Sequence, residues 1–155
     1  GVAGDVPIRL AADELRADGN KIVHCHGCFD LVHPGHIKHL QEAKRMGDVL
    51  IVTVTPSWAV NKGEGHPLFS NKLRLESLAS MECVDYCALN LWETAAQTII
   101  QLRPNVFAKG HEFHISPTEA VIAEKEAIES VGGIMAFTSG ADVFSSTELQ
   151  KRLMD

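Results

Sequence analysis

Two histidines three residues apart, His33 and His36, stand inside the run H-C-H-G-C-F-D-L-V-H-P-G-H-I-K-H-L-Q-E-A-K from His24 to Lys44. Imidazole N–H groups at that spacing can donate to one anion if the chain places both at the start of a helix. The neighbouring residues do so. Ile22 to Cys25 is short and apolar, as a buried strand is. Gly27 allows a sharp turn. Pro34 suits the first helical turn, where its missing N–H costs nothing. From Ile37 onward, Ile37, Leu40 and Ala43 recur at helical spacing. His33 and His36 therefore flank a helix N-terminus, where unpaired N–H groups and the positive end of the dipole favour an anion. A strand, a glycine turn and a histidine-bearing helix start make a phosphate site.

Other stretches carry weaker signals of the same kind. The loop from Pro56 to Phe69 holds Lys62-Gly63-Glu64-Gly65, where two glycines beside a lysine allow close approach to phosphate oxygens. Lys109-Gly110-His111-Glu112-Phe113 follows an expected strand, Asn105 to Ala108. Ser145-Ser146-Thr147 precedes an amphipathic segment and forms either a plain N-cap or a second anion-binding helix start. Arg74 lies on a helix capped by Ser70, and by sequence alone reads equally as a surface charge. No acidic pair, Ser-His-Asp set or activated cysteine stands out, so covalent catalysis has no obvious nucleophile. Cys25-His26-Gly27-Cys28, with His24 beside it, raises a zinc or redox site, but no second C-x-x-C follows at finger-like spacing. Reduced thiols and a cytoplasmic setting are the expectation.

The elements that must position these residues alternate along the chain. A short helix over 7–20, with Leu10, Ala11, Leu15 and Ala17 as apolar positions, precedes the first strand. Val49 to Thr55 is apolar on both faces, as a central parallel strand is. Further strands are expected from Val84 to Cys87, Asn105 to Ala108 and Ile134 to Phe137, with helices over 94–102 and 117–131 between them. Five strands alternating with helices give an α/β sandwich on a parallel sheet, Rossmann-like in architecture. Ligands in such sheets bind at the carboxyl ends of the strands, where the Gly27 turn lies. The 155 residues suit one domain over 1–155 with a core over 21–153. With 45% hydrophobic and 22% charged residues the composition is that of a soluble globular protein. A formal charge of −6 argues against nucleic acid as a partner, and no apolar run approaches a membrane span.

Gly27-Cys28-Phe29-Asp30 followed by His33-Pro34-Gly35-His36 resembles the G-x-F-D and H-x-G-H signature of the small nucleotidylyltransferases. The family includes glycerol-3-phosphate cytidylyltransferase and the adenylyltransferase domain of the bifunctional heptose phosphate enzymes. The resemblance runs from about Lys21 to Leu153 and is closest to the heptose-type domain. It implies transfer of a nucleotidyl group from ATP or CTP to the phosphate or phosphonate of a small acceptor such as a sugar 1-phosphate, with release of pyrophosphate. It implies His33, His36, Lys62 and Arg74 as the catalytic set, with Arg74 turned toward the nucleotide phosphates. Gly27, Cys28, Phe29, Gly35, Lys109, Gly110, Glu112, Ser145, Ser146 and Thr147 would line the nucleotide site. Asp30 is expected to be structural, and His66 stands where those relatives commonly carry arginine. Mg²⁺ is expected to bridge phosphates rather than to bind protein carboxylates. A homodimer, and fusion to or action with a kinase, complete what the resemblance implies. A non-catalytic nucleotide-binding module and a Cys/His metal module are the alternatives.

Overall fold

The computed structural model describes residues 8–60 and 65–140. Helix α1 (Ile8–Ala17) leads into β1 (Ile22–Gly27), α2 (Pro34–Lys44) and β2 (Val49–Val54). Then come α3 (Asn71–Ala79), β3 (Tyr86–Leu89), α4 (Ala96–Leu102), β4 (Val106–Lys109), the single turn α5 (Glu112–Ile115), α6 (Glu119–Ser130) and β5 (Ile134–Phe137). All neighbouring strands pair in parallel, in the order β3-β2-β1-β4-β5. This is the expected Rossmann-like α/β fold.

Strand alternation divides the core in two. Val23 and Cys25 of β1 and Leu50, Val52 and Val54 of β2 meet Leu40 and Ala43 of α2 and Leu78 of α3 on one face. On the other face Ile22 and Ile51 meet Ala12 of α1 and Leu102 of α4, while Phe107 meets Ile99, Ala127 and Ile128 of α4 and α6. The chain leaves β1 toward β2 on one side and β4 lies on the other, so a crevice opens at the carboxyl ends of β1 and β4.

Several elements sit otherwise than periodicity implied. In α1 the inward positions are Ile8, Ala12 and Leu15, and Leu10 is about half exposed. The third and fourth strands begin later than expected, at Tyr86 and Val106, and α6 starts at Glu119 with Thr118 as its cap. Alpha-5 was not anticipated at all, since four residues carry no period. In α3 Leu78 is buried as an apolar position should be, but the first turn departs from the pattern. Leu73 faces solvent while Arg74 is buried.

Candidate active site

His33 and His36 occupy the start of α2, and their side chains form a reciprocal cap. His33 is the N-cap, its Nδ1 accepting the Gly35 N–H at 3.0 Å, and His36 Nδ1 lies 3.4 Å from the His33 N–H. This is a capping box built from two imidazoles in place of the usual hydroxyl and carboxamide. It has a chemical consequence. A ring nitrogen that accepts a hydrogen bond carries no proton, so each neutral imidazole is the Nε2–H tautomer. The cap thus fixes both histidines as donors at a helix N-terminus. Their rings stack with centroids 3.9 Å apart and planes 25° apart.

The residues of Gly27–Asp30 explain one another through this pair. Phe29 holds a left-handed backbone, φ 49°, which costs a bulky residue about 1–2 kcal/mol. Its ring is buried and meets His36 edge-on at 5.5 Å, so it fixes the imidazole plane. A Cβ on Gly27 would stand 2.9 Å from that ring. Gly27 itself ends β1 in the strand. The glycine is there for Phe29's ring, and the sharp turn expected at Gly27 falls at Phe29. Asp30 accepts the Leu68 and Phe69 N–H groups at 2.7 and 3.0 Å, with His66 Nδ1 at 3.4 Å. Burial would raise its carboxyl, but these bonds outweigh that and hold it below the ordinary value. Asp30 therefore ties the Leu68–Phe69 segment to the turn.

Arg74, which the resemblance implies is turned toward the nucleotide phosphates, is buried in this structure. Its Nη1 donates to the carbonyls of Cys28 (3.0 Å) and Thr55 (2.6 Å), and its Nη2 to Asn71 Oδ1 (2.8 Å) and Ser57 Oγ (3.3 Å). The guanidinium is buried and holds the ends of β1 and β2 together, and among the described residues its Nε has no partner. Lys109 also turns inward. Its ammonium lies 3.5 Å from Glu124 Oε1 and 4.5 Å from the centre of the Phe113 ring. Glu112 is exposed and folds back over Gly110, where a Cβ would come within 2.6 Å of its carboxylate. Gly35 sits in the first turn of α2, and Cys28 is half-buried beside Arg74. Lys62, Ser145, Ser146 and Thr147 lie outside the described residues.

A second set of polar groups was missed in the sequence. His24 Nε2 and His26 Nδ1 both meet Thr53 Oγ1, at 2.7 and 2.9 Å, and His26 Nε2 lies 3.3 Å from Thr55 Oγ1. On α2, His39 Nδ1 meets Thr138 Oγ1 at 2.8 Å beyond β5. The available signal was a period of two. His26 stands opposite Thr53, and His24 and Thr55 follow at a spacing of two, so all four fall on one face of adjacent strands.

The same alternation turns Cys25 and His24 to opposite faces of β1. Cys25 points into the core, and burial pushes its thiol up to about 12. Among the described residues no group of three or more His, Cys, Asp or Glu gathers to hold a metal. Nor, among them, is any helix long and apolar enough to cross a membrane.

Burial also holds the imidazole of His24 well below its usual range and lowers that of His26 to about 4, helped by the nearby Lys109 charge. The unfolded chain takes up these protons near pH 6.5 and the native state refuses them. Stability is therefore lost as pH falls from about 6.5 to about 4, by about 1.4 kcal/mol per pH unit per histidine. Glu124, whose carboxyl burial raises, opposes the trend. Urea unfolding across that window should show midpoints falling with pH, and His26→Gln should flatten the slope. A slope that His26→Gln leaves unchanged would show that His26 does not contribute to it.

Histidine donors at a helix start, beside the switch point of a parallel sheet, belong to a Rossmann-like protein. Comparison with known proteins places it further. The cytidylyltransferase-like family model matches residues 24–152. The bifunctional protein HldE of Syntrophotalea carbinolica is 34% identical over 150 residues, covering 96% of this chain and 30% of that protein. The HldE of Geobacter metallireducens is 36% identical over 141 residues, covering 90% and 28%. The chain thus spans about three tenths of the length of these relatives. The lipopolysaccharide core biosynthesis protein of Thermoplasma volcanium superposes with a TM-score of 0.67 at 27% identity, over 80% of this chain and 100% of that one. Pantoate-β-alanine ligase of Francisella tularensis, at 16% identity and a TM-score of 0.55, shares the fold. The chain belongs to the cytidylyltransferase-like family and is a nucleotidylyltransferase.

Proposed function

We propose that this domain transfers an adenylyl group from ATP to the phosphate of a small phosphorylated sugar and releases pyrophosphate. The observation that carries this reading is the two-histidine cap, which presents a pair of Nε2–H donors at the start of α2. An acceptor phosphate is already anionic at neutral pH, so it attacks the α-phosphorus without a base. A new P–O bond forms there, the bond to the β-phosphate oxygen breaks, and the electron pair leaves with pyrophosphate. The protein aligns the two reactants and stabilises charge on the α-phosphate. His33 and His36 do this by donation. Lys62 and Ser145, Ser146 and Thr147 are proposed for the outer phosphates, and Gly110 and Glu112 for the nucleotide side of the crevice. Asp30 is already bonded to two backbone N–H groups. Mg²⁺ therefore enters as the complex of the triphosphate. Similarity to proteins named bifunctional supports a kinase partner, in the same polypeptide or beside it.

Pyrophosphate release tests the proposal, with each of ATP, CTP, GTP and UTP against sugar 1-phosphates, polyol phosphates and phosphonates. Release with ATP and a sugar phosphate is expected. Tight nucleotide binding without release against any acceptor would make the domain a non-catalytic nucleotide-binding module. Preference for CTP would keep the chemistry and overturn the choice of base.

A further inference from the structure

The polar chain His24–Thr53–His26–Thr55 is an expensive thing to build into the centre of a parallel sheet, where β1 and β2 are otherwise apolar. It runs from full burial to the crevice. His24 and Thr53 are buried, whereas His26 and Thr55, one step nearer the carboxyl edge, are partly open. On the opposite face the same strands stay apolar, with Cys25, Val52 and Val54, up to the turn that leads into His33 and His36. The two histidine sets thus approach the strand ends from opposite faces of the sheet. A direct transfer has two substrates to hold, and the His33–His36 pair on the α2 side provides for one of them.

Hydrogen-bond accounting sets the direction of the chain. Thr53 has one proton and touches two imidazoles, so it can donate to at most one of them. His24 Nδ1 has no partner among the described residues. A bare ring nitrogen is a lesser burden there than an orphaned N–H. His24 Nε2–H therefore donates to Thr53, which leaves the Thr53 proton for His26 Nδ1. His26 is left with its proton on Nε2, directed at Thr55 over a long 3.3 Å contact. That weak bond is easily exchanged for a better acceptor.

We propose that His26 is a residue of the acceptor subsite, donating from Nε2 to an oxygen of the phosphorylated acceptor, with Thr53 and His24 as the positioning residues that fix its tautomer. The assignment rests on the nucleotidyl-transfer reading. A donor that stays neutral is suited to this place, because Lys109 and its partner Glu124 already occupy the neighbouring strand end.

The test uses the 155-residue chain and the sugar 1-phosphate that supports the fastest pyrophosphate release. His26→Leu should raise the acceptor KM about 10- to 100-fold, the scale of one lost hydrogen bond to a charged or neutral group, with the ATP Kd within about twofold. His26→Gln, whose amide N–H reaches the place of Nε2, should recover most of the loss. Long-range ¹H–¹⁵N spectra of the free protein should show the Nε2–H tautomer at His26, and Thr53→Val should mix it with the other. These spectra and the glutamine variant decide the matter even if His26→Leu does not fold. Unchanged acceptor KM in an active His26→Gln or His26→Leu protein with normal turnover, or an Nδ1–H tautomer in the wild type, would overturn the assignment alone. Failure of the wild type to release pyrophosphate with any acceptor would overturn the parent reading and this one with it.

Discussion

His33→Ala and His36→Ala are each expected to lower kcat by about 10²-fold or more, the scale of removing one preorganised donor to a transition-state oxyanion. Alanine alone does not separate chemistry from architecture, because each side chain also caps α2. Losing a cap costs about 1 kcal/mol of stability. Two other substitutions separate the roles. Asn at position 33 can still accept the Gly35 N–H, and Gln at position 36 can still reach back to the His33 N–H, as in an ordinary capping box. His33→Asn and His36→Gln should therefore melt with the wild type and still lose about 10²-fold in kcat. Nucleotide Kd should change far less than kcat if the donors act mainly on the transition state. Near-full turnover in either capped variant would remove the mechanism.

How much of this could be read from the residues depends on what each signal required. The H-P-G-H stretch was legible as a helix start because proline, glycine and the apolar spacing act locally. The fold was legible for the same reason: each strand is a short apolar run, and each helix between has its own stop signal. What stayed hidden was long-range. Whether a charged residue faces water or a pair of carbonyls depends on strand ends some twenty to fifty residues away, as with Arg74 and its bonds to Thr55 and Cys28. Lys109 depends likewise on Glu124 of α6. The His24–Thr53 link joins two strands through a register that no single segment encodes. Phe29 is the intermediate case. Its motif was plain, but the reason for Gly27 lies in a ring position that only the folded turn supplies.

Arg74 allows the two readings of a site arginine to be told apart. Turned to phosphates, it would matter for nucleotide affinity and little for stability. Buried as it is, it should matter for stability. Arg74→Met keeps much of the volume but leaves the Cys28 and Thr55 carbonyls without this donor, and each such buried loss costs about 1–3 kcal/mol. A total near 3 kcal/mol should lower Tm by about 10 °C in a chain of this size. Arg74→Lys should recover little. One ammonium cannot span two carbonyls, a hydroxyl and an amide oxygen held by a planar fork. At a temperature where both variants remain folded, ATP affinity should fall only as far as the β1 and β2 ends shift. A methionine variant with wild-type Tm and nucleotide binding weakened more than tenfold would return Arg74 to the phosphates.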